Sequence, residues 1–519
     1  MNRLLLFSVA LTLATSASAA TRKAPPAAPT ATPAVPAAPP EASPEPRGPD
    51  RSRPPIVVEP KPFAHPPSVR LVDEPGLIID FVRVPEALDV SLDVTWKVGA
   101  RALAATADRP HAEAMATLWD VATTTRSPSD VAAFEAARDL DVVSTFGNET
   151  TTLALTVPRT SLSDGLDFFG DLLLHPSFPK DEVQRWIRDA QDERTTHAPS
   201  NLRAVYSLAF AHAWTPAGTP DDPRPDPKAL AAVKRDALAA LHQTLLLTAP
   251  VHAWITGDLT EAEARASIVA APWWAEIGAN ANPSVPPVAL QLAQDAVIAV
   301  DLPSASQAIV GMVLGAPARD HADRAAFGHA SYALVGPFLS RLNRNLREDK
   351  GWTYGVGGAY VPERLDGYWS ARGTYTASNI AGVLREMDAE LQALAASGPT
   401  AEEIDANIRE QVTAFNDAML DAGSAMSWYA SGVPYGETIQ DAAKRLDAMR
   451  AVTPETAAAA ARRWFSEDAP RLILVVGRRA DVEPQLTAAG LKATWISAQD
   501  AVDGTFDAVT TVPTTPAAP

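Results

Sequence analysis

The chain has 519 residues, a net charge of −18 and no cysteine. The acidic balance argues against a nucleic-acid-binding protein, because neutralising phosphates requires clustered lysine and arginine side chains. Without cysteine, the chain can be neither a disulfide-stapled scaffold nor a cysteine-anchored lipoprotein. Its length allows two large domains.

The N-terminal sequence MNRLLLFSVALTLATSASAA has the pattern of an export signal. Arg3 precedes an apolar run, Leu4–Leu13, and the small residues Ala17, Ser18 and Ala19 follow. We predict a Sec-type signal peptide over residues 1–19. The apolar run is too short to cross a bilayer, and no later segment approaches about twenty apolar residues, so we expect no membrane span. An exported chain without cysteine fits the bacterial periplasm.

Residues 20–70 and 498–519 are predicted to lie outside the folded domains. The first segment is rich in alanine and contains about a third of the chain's 46 prolines. That composition favours extended polyproline II and cannot bury a core, so we interpret the segment as a semi-rigid, disordered linker. The last segment, which ends in TTVPTTPAAP, is typical of a flexible tail.

The intervening residues contain a quasi-repeat. VHAWITGDLTEAEARASIVAA, from residue 251, indicates a buried strand, a glycine turn and a helix, and RLILVVGRRADVEPQLTAAG, from residue 471, repeats that order. Strand pairs followed by amphipathic helices recur in STFGNETTTLALTV with SLSDGLDFFGDLLL, and in VGGAYVPERLDGYWSARGTY with IAGVLREMDAELQAL. We therefore predict an α+β fold with two similar domains in tandem, over residues 71–285 and 286–497. Each would be a mostly antiparallel sheet packed with helices, with GANANPSVPP as the connection.

The sequence GPFLSRLNRNLREDKGWTYGV predicts a helix that turns into a strand. The break at Gly336 and the following Pro337 indicate the start of the helix. Three leucines fall on one helical face: Leu339, Leu342 and Leu346. Gly351 supplies the left-handed conformation that commonly ends a helix, and WTYGVGGAY alternates as a strand.

Arg347 and Tyr354 flank this turn. The pattern places Arg347 in the last helical turn and Tyr354 on the strand that folds back beside it, so that both side chains can point into one cavity. A structural role explains the same pattern. An arginine near a helix C-terminus is favoured by the helix dipole, and a tyrosine on a strand is commonly half-buried packing. Spacing alone therefore leaves both alternatives open.

The segment SRLNRNLREDKGWTYGV resembles the second-domain signature of the insulinase (pitrilysin-like) zinc peptidases, in which a Ser-Arg-Leu helix runs into Leu-Arg-Glu, a glycine and a tyrosine. VDLPSASQAIVGMVLGAP, with Gln307, resembles the family's preceding strand. The likeness implies insulinase-like domains that close around an extended peptide. It also implies that Tyr354 donates a hydrogen bond towards a developing oxyanion, and that Arg347 clamps the peptide backbone.

The first domain departs from the family pattern where zinc ligands are expected. The family's inverted motif, His-x-x-Glu-His, would occupy residues 113–117, but these read Glu-Ala-Met-Ala-Thr, and the motif occurs nowhere in the chain. The region of the third ligand contains Asp192 and Glu193, yet a catalytic zinc site needs about three protein ligands. We therefore predict neither a metal site nor a cofactor in this chain. The resemblance implies that zinc is bound by a partner subunit, since some members of the family are heterodimers in which one subunit carries zinc and the other the Arg and Tyr.

The resemblance implies two alternative functions. In the first, the chain is the non-catalytic subunit of a heterodimeric zinc peptidase, inactive alone, and supplies Arg347 and Tyr354 to bind and orient peptide substrate at a partner's zinc site. In the second, it is a peptide-binding or scaffolding pseudoenzyme with no peptidase partner. The first needs both side chains directed at substrate and a zinc-bearing subunit of the same family, whereas the second needs neither. Retention of both residues beside a lost metal motif favours the first.

Overall fold

The computed structural model describes residues 64–66, 68–103, 109–224, 226–247, 249–278 and 288–512. The predicted signal peptide and nearly all of the predicted linker fall outside these ranges. Within the described ranges, no helix combines the length and the apolar character that crossing a bilayer requires.

The first half of the chain forms a six-stranded, mostly antiparallel sheet. Its strands are β1 (Ser68–Glu74), β2 (Leu77–Arg83), β3 (Asp89–Trp96), β4 (Asp141–Phe146), β5 (Thr151–Pro158) and β6 (Val251–Gly257). They lie in the order β1-β2-β6-β3-β5-β4, and the β2–β6 pair is parallel. The two central strands, β3 and β6, are buried almost throughout, whereas β5 alternates between buried and half-buried residues. The sheet is therefore covered on both faces at its centre.

The helices of the first half pack around this sheet. Within the described residues they are α1 (Arg109–Leu118), α2 (Pro128–Arg138), α3 (Leu162–Leu174), α4 (Lys180–Asp192), α5 (Leu202–Trp214), α6 (Pro227–Ala231), α7 (Arg235–Leu241) and α8 (Glu261–Ala264). Local signals account for their ends: α2 starts with a capping box at Ser127 and a proline in its first turn, and stops at the left-handed Asp139. Buried aromatic side chains of α3, Phe168 and Phe169, belong to the core of this half.

The second half repeats the plan. Its strands are β7 (Gln291–Leu292), β8 (Ala296–Asp301), β9 (Ala308–Gly315), β10 (Val356–Pro362), β11 (Gly367–Tyr375), β12 (Arg471–Gly477), β13 (Thr494–Ser497) and β14 (Thr510–Thr511). Six of them form a sheet in the order β10-β11-β9-β12-β8-β13. Five strands match in position, β4-β5-β3-β6-β2 in the first sheet and β10-β11-β9-β12-β8 in the second. The predicted α+β fold with two similar, mostly antiparallel sheets is confirmed.

The helices of the second half are α9 (Arg324–Val335), α10 (Arg341–Asn343), α11 (Ile380–Ser397), α12 (Ala401–Ala418), α13 (Ala422–Ala430), α14 (Ile439–Arg450), α15 (Pro454–Trp464), α16 (Arg479–Ala488) and α17 (Ala498–Asp503). α9, α11 and α15 contact one another and share a core with the sheet. Phe327 of α9 and Phe465, just after α15, are fully buried in that core.

Each half also contributes one helix that packs against the sheet of the other half. α5 lies against the second sheet, where Tyr206 and Ala209 are buried among apolar side chains of β8, β9 and β12. α13 lies against the first sheet, where Met426 and Tyr429 pack on Trp254 of β6. These helices begin at residues 202 and 422, the same spacing that separates the repeats at 251 and 471. The exchange joins the two halves through their cores.

Residues 498–512 form a helix and a short strand, whereas a flexible tail was predicted here. A capping box at Ser497 starts α17, and Gly504 ends it with a φ of 67°. Ala501 of α17 is fully buried in a cluster with α5 side chains, and β14 pairs with β7. The prediction was wrong because the proline- and threonine-rich composition of the last residues does not extend back over α17, whose small apolar side chains find a partner surface only in the folded chain.

Candidate functional site

The helix that carries Arg347 begins later than the sequence predicts. Gly336 caps the end of α9, and Pro337 opens a turn in which the Ser340 N–H donates to the Pro337 carbonyl at 2.9 Å. Ser340 is the N-cap of α10, which continues as a π-helical turn, Arg344–Asp349. Pro337 is therefore a turn residue, and its place as a first helical residue was predicted wrongly.

Two of the three predicted core leucines are buried. Leu342 and Leu346 lie in the core of the second half, while Leu339 is 54% exposed because it belongs to the turn before the helix. Gly351 ends the helix as predicted: its φ is 63°, and its N–H donates to the Arg347 carbonyl at 3.1 Å. Arg347 accordingly lies in the last turn of the helix.

Asn343 ties this helix to the strand that follows. The Val356 N–H donates to Asn343 Oδ1 at 2.7 Å, and Asn343 Nδ2 donates to the Val356 carbonyl at 3.0 Å. The side-chain amide thus pairs with both backbone groups of the first residue of β10, and Nδ2 also lies 3.1 Å from Ser340 Oγ. Asn343 is buried, and a buried amide needs such partners. The sequence pattern around Asn343 marks it only as a polar residue beside Leu342 near a helix start.

Three further hydrogen bonds hold the turn between Gly351 and Val356. The Trp352 N–H donates to the Leu346 carbonyl at 2.9 Å. The Thr353 hydroxyl lies 3.0 Å from the carbonyl of Thr374 on β11 and accepts from the Gly355 N–H at 3.1 Å. The backbone on both sides of residue 354 is therefore fixed by hydrogen bonds.

Tyr354 projects from this tied turn into solvent. Its side chain is 97% exposed, the most exposed of the large apolar residues in the described ranges. It lies in a bend rather than on a strand, because pairing with β11 starts at Val356, opposite Gly373. The predicted strand position was wrong by two residues. The exposure excludes half-buried packing as the reason for a tyrosine here.

Arg347 is held differently. Its guanidinium carbon lies 3.5 Å from the centroid of the Phe338 ring, and Nε lies 3.5 Å from a carboxylate oxygen of Glu348. Nη1 is buried without a hydrogen-bond partner in the described part of the chain. Arg347 thus lies in the last helical turn against an aromatic ring, and Tyr354 lies in the bend that follows, with an exposed side chain.

The turn leads into β10, the edge strand of the second sheet. At the far end of β10, Arg364 makes a two-pronged ion pair with Glu149 in the β4–β5 turn, at 2.6 and 3.1 Å. Arg101 contacts the same Glu149 and reaches Asp221 at 2.6 Å. Burial raises the pKa of the neighbouring Asp366 to about 6. The β10–β11 hairpin, which follows the Arg-Tyr turn, is thereby linked by ion pairs to the first half of the chain.

The helix α1 carries residues 113–117, where the zinc motif of the resembled family would lie. Arg109 Nε donates to the Glu113 carboxylate at 3.0 Å, and burial raises the pKa of Glu113. Ala114, Met115 and Ala116 are buried apolar residues. Across the ranges that the structure describes, no group of three or more His, Asp or Glu side chains could hold a metal ion. The stretch contributes an ion pair and core packing.

Residues 232–411 match the model of a protein family described as the peptidase M16 inactive domain. The matched range runs from just before α7 into α12, and it includes both Arg347 and Tyr354. No curated protein matches the chain.

Solved structures share the fold. A peptidase M16 inactive domain from Pseudomonas fluorescens is similar at 19% identity with a TM-score of 0.70, over 79% of this chain and 98% of that one. A protease from Helicobacter pylori is similar at 13% identity with a TM-score of 0.66, over 80% and 100% of the two chains. The periplasmic protease PqqL from Escherichia coli is similar at 14% identity with a TM-score of 0.65, over 80% of this chain and 47% of PqqL.

Proposed function

We propose that this chain is the non-catalytic subunit of a heterodimeric zinc peptidase, because residues 232–411 match the model of the peptidase M16 inactive domain. In this role Arg347 and Tyr354 bind and orient a peptide substrate at the zinc site of a partner subunit of the same family. The isolated chain has no peptidase activity of its own.

The observation that carries the proposal is the placement of Tyr354. A tyrosine that serves packing is at least half-buried, whereas this one is 97% exposed. Its backbone is nevertheless fixed on both sides, by Thr353 and by the Asn343–Val356 pair. A rigid turn that exposes a tyrosine hydroxyl to solvent is suited to binding a ligand from outside the chain.

The chemistry assigns each side chain a role. When water attacks a peptide carbonyl, negative charge develops on the carbonyl oxygen, and a fixed hydroxyl such as that of Tyr354 stabilises it by donating a hydrogen bond. The Arg347 guanidinium donates to backbone carbonyls, which holds the peptide in register. The partner's zinc would polarise the carbonyl and activate the water. The exposed edge of β10 offers an extended peptide further backbone partners.

The location is part of the proposal. The export signal over residues 1–19 is typical of a periplasmic protein, and PqqL, which shares the fold, is a periplasmic protease. We therefore propose that this subunit and its partner meet in the periplasm and act there on unstructured peptides.

The test is a turnover assay on the reconstituted heterodimer. Tyr354→Phe removes one donor to the oxyanion and should lower kcat roughly 100- to 1,000-fold, by analogy with other oxyanion-hole donors. Since the ring is exposed, the melting temperature should not change. Tyr360→Phe is the matched control on β10: it deletes a hydroxyl bonded to the Pro317 carbonyl at 2.8 Å, so it should lower stability and leave kcat unchanged.

Arg347→Ala should raise KM as well as lower kcat, because it removes a clamp on bound and reacting peptide alike. Arg344→Ala, an exposed arginine on the same helical turn, is its control and should behave as wild type. The competing scaffold function predicts the opposite result for these variants. If both Arg347→Ala and Tyr354→Phe cleave at wild-type rates in the heterodimer, or if no zinc-bearing subunit binds this chain, the scaffold is the better account.

A further inference from the structure

The turn before α10 carries an aromatic ring that core packing does not explain. Phe338 is 65% exposed and stands in the short turn between α9 and Ser340. Neighbouring residues fix that segment. The Gly336 N–H donates to the Tyr332 carbonyl at 2.9 Å, and a Cβ on Gly336 would lie 2.4 Å from the Tyr332 ring. The ring is therefore held at the surface by its backbone.

Arg347 lies directly over this ring. The separation of 3.5 Å between the guanidinium carbon and the Phe338 centroid is well inside the roughly 6 Å limit for a cation–π contact. The only other described contact of the guanidinium is the 3.5 Å approach of Nε to Glu348, which is long for an ion pair. Nη1 is enclosed and donates to no described residue. The ring is thus the main support of the charged group.

We infer that Phe338 is a positioning residue for Arg347. The ring holds the guanidinium plane against the turn, so that the orientation of its donors is set before a peptide arrives. A long arginine side chain loses much rotamer freedom when it is held in one geometry, and a platform that removes this freedom in advance lowers the cost of binding. The inference rests on the proposed function, since the peptide is the ligand that Arg347 is prepared for.

A competing role for the same contact has the opposite consequence. If the ring holds Arg347 in a conformation that does not bind peptide, the guanidinium has to leave the ring before peptide can bind. Removing the ring then strengthens peptide binding. If the ring positions Arg347, removing it weakens binding. The sign of the effect therefore separates the two.

The first measurement needs neither peptide nor partner. Phenylglyoxal modification of the purified mature chain, mapped by mass spectrometry, reports how freely each arginine side chain is accessible. Phe338→Leu should raise the modification rate of Arg347 severalfold, while the rate at Arg344, exposed on the same turn, stays unchanged. Phe338→Tyr keeps an aromatic face and should retain the wild-type rate. An unchanged Arg347 rate in Phe338→Leu would overturn the inference.

The second measurement is peptide affinity, by fluorescence anisotropy with a fluorescein-labelled casein peptide and the reconstituted heterodimer. Phe338→Leu should raise Kd roughly two- to fivefold, the range of an exposed cation–π contact, and Phe338→Tyr should restore it. In an Arg347→Ala background, Phe338→Leu should add nothing, because the ring acts through the arginine. Tighter binding by Phe338→Leu, or an equal loss in the Arg347→Ala background, would refute the positioning role. If Arg347→Ala itself leaves Kd unchanged while the modification rates shift as expected, the proposed function fails and the Phe338–Arg347 contact stands.

Discussion

Replacing Asp93 by asparagine should change the pH dependence of stability. Asp93 lies in the middle of β3 and is buried, with Ala154 and Trp254 as its cross-strand neighbours. Neither neighbour carries a charge, and the described hydrogen bond to its carboxylate comes from Thr95 Oγ1 at 2.5 Å. Burial raises the pKa of Asp93 to about 6, against an ordinary value of 3.8, and the Thr95 hydroxyl offsets only part of that rise.

The sign and size of the effect follow from proton linkage. The folded state binds the proton of Asp93 more tightly than the unfolded state, so this group lowers the free energy of unfolding as pH rises from about 4 through about 6. A rise of about two in pKa corresponds to about 3 kcal/mol at 25 °C, because a difference of one is worth about 1.36 kcal/mol. The asparagine side chain in the variant is neutral at every pH, so this cost would be absent there.

Urea unfolding followed by tryptophan fluorescence can measure this at about pH 4 and about pH 8, on either side of the isoelectric point near 5.0. The stability of Asp93→Asn relative to wild type should increase by about 2 kcal/mol between the two, because part of the linkage effect is already present at pH 4. Any constant penalty from the new amide donor cancels in that difference. Asp167→Asn, an exposed site on α3, is the control and should show no comparable trend. A relative stability that does not vary with pH would refute the reasoning.

Three other outcomes are expected. Asn343→Leu keeps the side-chain volume but leaves the backbone N–H and carbonyl of Val356 without their partner. It should lower the free energy of unfolding by about 1–3 kcal/mol in thermal melts and reduce heterodimer turnover. A variant in which both are unchanged would contradict the structural role of the Asn343–Val356 hydrogen bonds. Arg364→Ala should speed hydrogen exchange in the β4–β5 turn around Glu149 without affecting the core of the second sheet, since the ion pair is partly exposed and spans the two halves. Elemental analysis of the purified mature chain should find no stoichiometric zinc, because the chain lacks the His-x-x-Glu-His motif, and one tightly bound zinc ion would contradict the assignment as a non-catalytic subunit.

Local sequence patterns predicted most of the elements around the site. Leu342 and Leu346 lie on a buried helical face, and Gly351 ends the helix in the left-handed conformation. These features depend on helical periodicity and on the steric freedom of glycine, which act within a few residues. The strand pairs β4–β5 and β10–β11, each followed by a helix, were predictable for the same reason. The metal motif is likewise a matter of sequence, since residues 113–117 contain no histidine.

The position of Tyr354 could not be read in that way. Alternation in WTYGVGGAY predicts a strand from the first residues, but Thr353 and the Asn343–Val356 pair hold the backbone in a bend until Val356. Asn343 lies thirteen residues from its partner, and nothing in the local pattern marks it as an anchor. The contact between Arg347 and Phe338 is similar, because it joins the end of the helix to the turn before it.

Four features could be recognised from the amino-acid sequence alone: the export signal pattern, the strand and helix patterns of the two repeats, the Arg-Tyr turn and the absence of the zinc motif. Each depends on residues that lie close together along the chain. The surfaces that these elements cover became apparent only in the folded protein. α5 and α13 each pack on the sheet of the opposite half, and α17 folds because α5 offers it a surface. The sequence of an apolar helix face does not specify which surface it packs against, because the hydrophobic effect depends on the apolar area buried and not on the identity of the partner. The exposure of Tyr354 belongs to the same class, because it depends on which neighbours the folded chain leaves it.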